Sequence, residues 1–136
     1  MPIQMRPDKL TKNFDLSEFE CNDHSWMPDH VYNNVIKAAN NLQKLRDLYK
    51  RPINITSAYR SKKYNKKIGG VSNSTHTLGL AIDIQIKGID YKNLYNHINT
   101  LIYDGLLLEG GVGLYDNFIH YDIRGSRARW DNRKNI

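Results

Sequence analysis

The sequence predicts an α+β fold, a mainly antiparallel sheet packed against helices. Three observations carry this. Two stretches repeat apolar residues at helical spacing, and four short stretches alternate as strands do. Their order along the chain is helix, strand, strand, helix, strand, strand, which leaves the strands to pair as neighbours rather than through repeated crossovers.

Residues 1–13 are polar, contain Pro2 and Pro7, and read as an extended arm. Phe14, Leu16 and Phe19 form a short docking segment. The first helix follows Pro28 and Asp29. Val31, Val35, Ala38, Leu42, Leu45 and Tyr49 alternate steps of four and three, which lines one face. Pro28 and Asp29 suit its first turn, by preset backbone angle and by the helix dipole. Lys44, Arg46, Lys50 and Arg51 lie near its end, where cations are favoured, and Pro52 stops it.

Ile53 to Ala58 is β-branched and alternating, a strand. Residues 60–75 are basic and polar around Gly69-Gly70, a long loop with room for one helical turn. Leu80 to Ile86 is the second strand. Residues 90–103 form the second helix, with Leu94, Ile98, Leu101 and Ile102 on one side. Gly110, Gly111 and Gly113 punctuate the entry to a final strand pair, Val112 to Tyr115 and Phe118 to Ile123, turning at Asp116-Asn117. Residues 124–136 are a basic stretch containing Arg127, Arg129 and Trp130.

At 136 residues, 40% of them hydrophobic, the chain is one ordinary domain that buries a core without staples, and a disordered chain is excluded. The net charge of +6 points to an anionic partner: nucleic acid, a membrane surface or a cell-wall polymer. Cys21 is the one cysteine, so neither an internal disulfide nor a thiolate zinc cluster can form. No signal peptide is visible in Met1 to Leu10, and no window approaches the roughly 20 apolar residues that span a bilayer. Cytoplasmic synthesis without membrane insertion is expected. Tyr59, Arg60 and Tyr64 are too thin a basic–aromatic pattern for a nucleic-acid site, so no nucleic-acid partner is expected.

Two strands present polar chemistry on one face. Alternation sends Asp83 away from Ile82, Ile84 and Ile86, and sends Phe118, His120 and Asp122 away from Ile119, Tyr121 and Ile123. A carboxylate in an apolar strand needs a cation, a metal or several donors. His76 is seven residues before Asp83, an odd step, so it must approach from the Ser74-Thr75-His76 turn, with Gly79 giving room to fold back. His76, Asp83 and His120 then match a catalytic zinc site, with three protein ligands and one open position. Each also has a plainer reading: His76 as a loop residue, Asp83 as the ion-pair partner of Arg60, and His120 as a half-buried strand residue.

The blocks Ile55-Thr56-Ser57-Ala58-Tyr59-Arg60-Ser61, Ser74-x-His76-x-x-Gly79-x-Ala81-x-Asp83-Ile84, Gly110-Gly111-Val112-Gly113-Leu114-Tyr115 and Phe118-Ile119-His120-Tyr121-Asp122-Ile123-Arg124, closing on Arg129-Trp130, carry a resemblance. The chain resembles the zinc D-Ala-D-Ala carboxypeptidase family of peptidoglycan peptidases, which includes L-Ala-D-Glu endolysins and relatives of the hedgehog signalling domain. The resemblance runs from about Phe14 to Asp131. It implies a hedgehog-like fold, a single domain over 14–131 with 132–136 as a basic tail, and Zn2+ held by His76, Asp83 and His120. It places Arg60 over the site, on the substrate carbonyl or oxyanion, and Ser74 against the substrate.

The general base departs from the family pattern. Many relatives carry Glu or Asp three residues before the last histidine, where this chain has Asn117. Others carry histidine two before it, where this chain has Phe118. Asp122, on the His120 side, is the expected proton carrier, with orientation of His120, or pairing with Arg60 or Arg124, as its alternative role. Asp116 and Glu109 are further candidates. The resemblance implies a monomeric peptidase of peptidoglycan stem peptides. The missing signal peptide fits phage lysis or a virion component. The rival is a non-catalytic zinc-containing module that binds the wall or builds a virion.

Overall fold

The apolar stripe on the first helix is buried against a five-stranded sheet. A computed structural model describes residues 5–135. Helix α1 spans Asp29–Tyr49, and its Val31, Val35, Ala38, Leu42 and Leu45 are buried. Lys50 then takes a left-handed backbone (φ 54°) and ends the helix two residues before Pro52. Strand β1 (Asn54–Ser57), helix α2 (Lys62–Lys67), β2 (Ala81–Gln85), helix α3 (Tyr91–Tyr103), β3 (Gly111–Leu114), β4 (Ile119–Asp122) and β5 (Ala128–Asp131) follow. The sheet order is β1-β2-β4-β3-β5, antiparallel throughout except for the parallel β3–β5 pair.

Register decides what each face does. Asp83 sits opposite His120 and Ala81 opposite Asp122. Ile82, Ile84, Ile119 and Tyr121 turn the other way and join α1 and α3 in one core. Leu94, Ile98 and Leu101 seal that core from α3, whose first turn is capped by Asp90 accepting from the Asn93 N–H (3.0 Å). Phe14 and Phe19 dock edge to face, with ring centroids 6.2 Å apart.

One polar network crosses the core. The Tyr121 hydroxyl donates to the Leu108 carbonyl and accepts from Asn41 Nδ2 (2.8 Å), while Asn41 Oδ1 accepts from the Leu108 N–H (3.1 Å). It ties α1 to β4 and to the chain entering β3. Tyr121→Phe leaves Asn41 and Leu108 short of a partner in a buried setting. The expected cost is about 1–3 kcal/mol of folding stability, read by urea denaturation. An unchanged midpoint would remove the network from the account of stability.

Three segments differ from the sequence reading. The loop after Arg60 holds a true helix, α2, because Ser61 caps it by accepting from the Tyr64 N–H (3.1 Å). The basic stretch after Arg124 holds a strand, β5, which adds to the sheet edge beside β3. The described part of the N-terminal arm is folded back, not extended. The Leu10 and Thr11 N–H groups bond the Phe14 carbonyl, and Arg6 lies over the Trp26 and Tyr32 rings while pairing with Asp29 (2.8 Å). Residues 1–4 of that arm lie outside the described residues. The basic tail is also anchored: Asn132 N–H bonds the Leu114 carbonyl, and Lys134 N–H bonds Asp116. No described helix is long and apolar enough to cross a membrane.

Candidate metal centre

His76 reaches the sheet from a 3₁₀ turn, Thr75–Leu78, capped by Ser74, whose Oγ accepts from the His76 N–H (3.2 Å). Gly79 ends the turn at φ 75°, and a Cβ there would lie 2.7 Å from Val31. Only glycine gives both that angle and that closeness. The chain doubles back there into β2, so His76 meets Asp83. Asp83 Oδ1 lies 3.2 Å from His76 Nε2 and 3.2 Å from His120 Nδ1. The three side chains are buried, and their candidate ligand atoms lie within 4.8 Å of one another.

Each ring has its far nitrogen fixed. His76 Nδ1 lies 2.7 Å from the Ala58 carbonyl oxygen, which can only accept, so Nδ1 donates and Nε2 keeps its lone pair. His120 Nε2 lies 2.7 Å from Asp122 Oδ2, so Nε2 donates and Nδ1 keeps its lone pair. Two imidazole lone pairs and a carboxylate oxygen therefore close on one point. The separations of 3.2 Å match the edges of a tetrahedral ion with bonds of about 2 Å, so the donor set fits zinc.

Asp83 divides its oxygens: Oδ1 faces the histidines and Oδ2 pairs with Arg60 Nη2 (3.3 Å). Burial pushes the Asp83 carboxyl up, but the two imidazole rings beside it, His120 and His76, outweigh it and hold it at about 2. Burial pushes His120 down, yet its bonds to Asp122 and Asp83 outweigh that and leave it above the usual histidine range.

Asp122 lies behind His120 and does not open onto the cleft. It has no exposed surface. Oδ1 accepts from the Gly111 N–H (2.9 Å) and from Arg124 N–H and Nε; Oδ2 accepts from Arg124 Nη2 (2.7 Å), Thr75 Oγ1 (3.2 Å) and His120. Burial raises this carboxyl, but the hydrogen bonds from His120, Arg124 and Gly111 outweigh it and hold it well below the usual carboxylate range. Gly111 permits the approach, since a Cβ there would fall 2.4 Å from Asp122 Oδ2. Asp122 was expected to carry a proton in the site; β4 alternation gives it the face of His120, but Arg124 and Gly111 occupy its oxygens and it does not line the cleft. Asp116 holds the C-terminal segment, and Glu109 is paired with Arg129 (2.9 Å), so neither faces the site.

The three candidate ligands, Arg60 and Ser74 line one open cleft of about 580 Å³. Asp83 is its one acidic residue among the described residues. The far wall is aromatic. Trp130 lies 5.0 Å from the His120 ring and donates Nε1–H to the Tyr115 hydroxyl (3.0 Å), and Tyr115 stacks on Phe118 at 4.3 Å. Gly113, opposite both His120 and Trp130 in the sheet, leaves space for the indole, since a Cβ there would be 2.3 Å from it. The sequence reading gave Trp130 no part in the site. The available signal was the glycine alternating through β3. Asn65 was also missed; it is buried and bonds both Arg60 and the Val71 carbonyl.

Buried His-Asp-His donors under a polar cleft define a mononuclear metallohydrolase type of site. A family model, Peptidase M15, matches residues 12–122 and so takes in the two histidines, Asp83, Arg60 and Ser74. The chain belongs to this family of zinc-dependent peptidases and is a metallopeptidase. The match ends at Asp122, before β5 and Trp130. A comparison with curated proteins found no match.

Proposed function

We propose that the protein is a zinc peptidase of peptidoglycan stem peptides, cutting a D-Ala-D-Ala or an L-Ala-D-Glu bond. The observation that carries the zinc assignment is the pair of fixed tautomers that leave His76 Nε2 and His120 Nδ1 facing one Asp83 oxygen. His76, Asp83 and His120 hold the ion. Zn2+ there supplies Lewis acidity toward the substrate carbonyl and makes water acidic near neutral pH.

The chain's own groups do the rest. Ala58 O and Asp122 keep a proton on the outer nitrogen of each ring. Arg60 lines the cleft beside Asp83, where its planar cation suits charge that develops on the substrate oxygen. Ser74 Oγ is spent on the turn that presents His76, so its contribution is to hold that turn as well as to border the substrate. Asp122 acts as the orienting partner of His120. The protein works as a monomer on the wall after release during phage lysis, or as part of a virion, and its positive charge suits an anionic wall.

The test is incubation of metal-loaded protein with purified peptidoglycan, followed by assay of new free amines and mass spectrometry of released peptides. Release that stops with a chelator and returns with Zn2+ is expected. No release at full metal loading would overturn the peptidase-of-wall reading and favour a binding module.

A further inference from the structure

Two guanidinium groups line the cleft, and they differ in what each leaves free. On Arg60, Nε donates to Ser57 Oγ (3.0 Å), Nη1 to Asn65 Oδ1 (3.3 Å) and Nη2 to Asp83 Oδ2 (3.3 Å). On Arg124, Nε and Nη2 grip Asp122 at 2.9 and 2.7 Å, and Nη1 has no partner among the described residues. The Arg124 side chain is 33% exposed against 16% for Arg60. It is also held in place: Asp122 anchors it from behind, and its guanidinium carbon lies 5.7 Å from the Trp130 ring. This is a fixed planar cation with one nitrogen in reserve, separated from His120 by a single carboxylate.

The two bonds proposed above share a chemical feature. In a D-Ala-D-Ala end the leaving residue carries a free α-carboxylate. In L-Ala-D-Glu the D-Glu continues through its side-chain carboxyl, so its α-carboxylate is free as well. In both, a carboxylate stands one carbon from the scissile nitrogen. An acid entering this cleft meets no unbalanced negative charge, because Asp83 faces Arg60 and Asp122 faces Arg124.

We infer that Arg124 binds this α-carboxylate through Nη1 and so selects a leaving residue with a free acid. The inference rests on the stem-peptide reading and names the residue that reads the substrate. Arg60 is left to the carbonyl side. A guanidinium–carboxylate contact is charge-assisted and directional, and neutralising the acid removes it.

The probe is an acyl-D-Ala-D-Ala whose scissile carbonyl is reduced to methylene, as the free acid and as the C-terminal amide. Neither is cut, so titration calorimetry on metal-loaded protein reads affinity whether or not the protein hydrolyses the wall. Wild type should bind the acid roughly tenfold or more tightly than the amide. Arg124→Gln should bring that ratio close to one, and Arg124→Lys, which keeps charge but loses the fork, should fall between. A structural loss alone would weaken both ligands alike. Equal affinity of wild type for acid and amide would overturn the inference without any variant, as would an unchanged ratio in Arg124→Gln. Failure of the peptidase reading would show separately, as intact stem peptides.

Discussion

Replacing His120 by alanine should strip the protein of its metal as well as its activity. The site has three protein donors, and His120 Nδ1 is one of them. Losing an outer hydrogen-bond partner of a ligand already costs roughly 10–100-fold in metal affinity, so losing the ligand itself should cost more. The variant also removes the imidazole between Asp83 and Asp122, so Asp122 loses the Nε2–H that it accepts from. Metal content after equilibrium dialysis, measured by mass spectrometry, should fall from about one ion per chain to well below that. Circular dichroism tells metal loss from unfolding. Full stoichiometric metal in a folded variant would remove His120 from the ligand set. The same site predicts a pH effect of definite sign. Burial lowers His120, but the bonds to Asp122 and Asp83 raise it above the usual histidine range, so its proton competes with metal up to a higher pH than an ordinary histidine's would. Metal affinity in the wild type should weaken as pH falls through the neutral range.

What the sequence made legible follows from period. Strand alternation is two residues, so the faces of β2 and β4 could be read directly, and the register then sets Asp83 opposite His120. The odd step from His76 to Asp83 required a turn, and the turn is there, with Gly79 at its end. Helix α1 was legible because its stripe runs through five turns without interruption. Strand β5 was not legible. Ala128-Arg129-Trp130-Asp131 is a half-exposed edge segment with no apolar alternation, and it is fixed by parallel pairing to β3, which no periodicity of its own residues marks. Helix α2 has no stripe either, since Lys62, Lys63, Lys66 and Lys67 face solvent and only the Ser61 cap marks its start.

The site shows the same division. Residue type and spacing give the donors, because a ligand must be histidine or carboxylate on a shared face. They do not give the partners behind the donors. That His76 bonds a backbone carbonyl, and that Arg124 rather than Arg60 takes up Asp122, depend on how loops close over strand ends. A carboxylate two residues from a ligand on one strand faces the same way in any sequence. Whether it faces a substrate or an arginine is decided by the chain that follows it.

Asp122→Ala tests that distinction and should be among the most damaging single changes in the protein. It leaves Arg124 Nε and Nη2, the Gly111 N–H, Thr75 Oγ1 and His120 Nε2 without their acceptor. Each buried donor left without its acceptor costs about 1–3 kcal/mol, while Arg124, 33% exposed, can turn to water. Burial raises the Asp122 carboxyl, yet the bonds from His120, Arg124 and Gly111 outweigh it and hold its folded-state pKa below the unfolded value. Its contribution is therefore fully present above the ordinary carboxylate range and lost as pH falls through the depressed value. Urea denaturation near neutral pH should show the loss. Asp122→Asn keeps the size and one acceptor oxygen, and so separates two roles. As the orienting partner of His120, Asp122 when changed to Asn should weaken metal affinity by roughly 10–100-fold, read by competition with a chelator of known strength, because the ring no longer holds its proton on Nε2 against a carboxylate. As a proton carrier, the same change would leave metal affinity intact and remove turnover alone. The geometry favours the first outcome: six donor contacts surround the two oxygens, and Asp122 itself does not line the cleft. Intact affinity with lost turnover would return Asp122 to the role its place beside His120 first suggested.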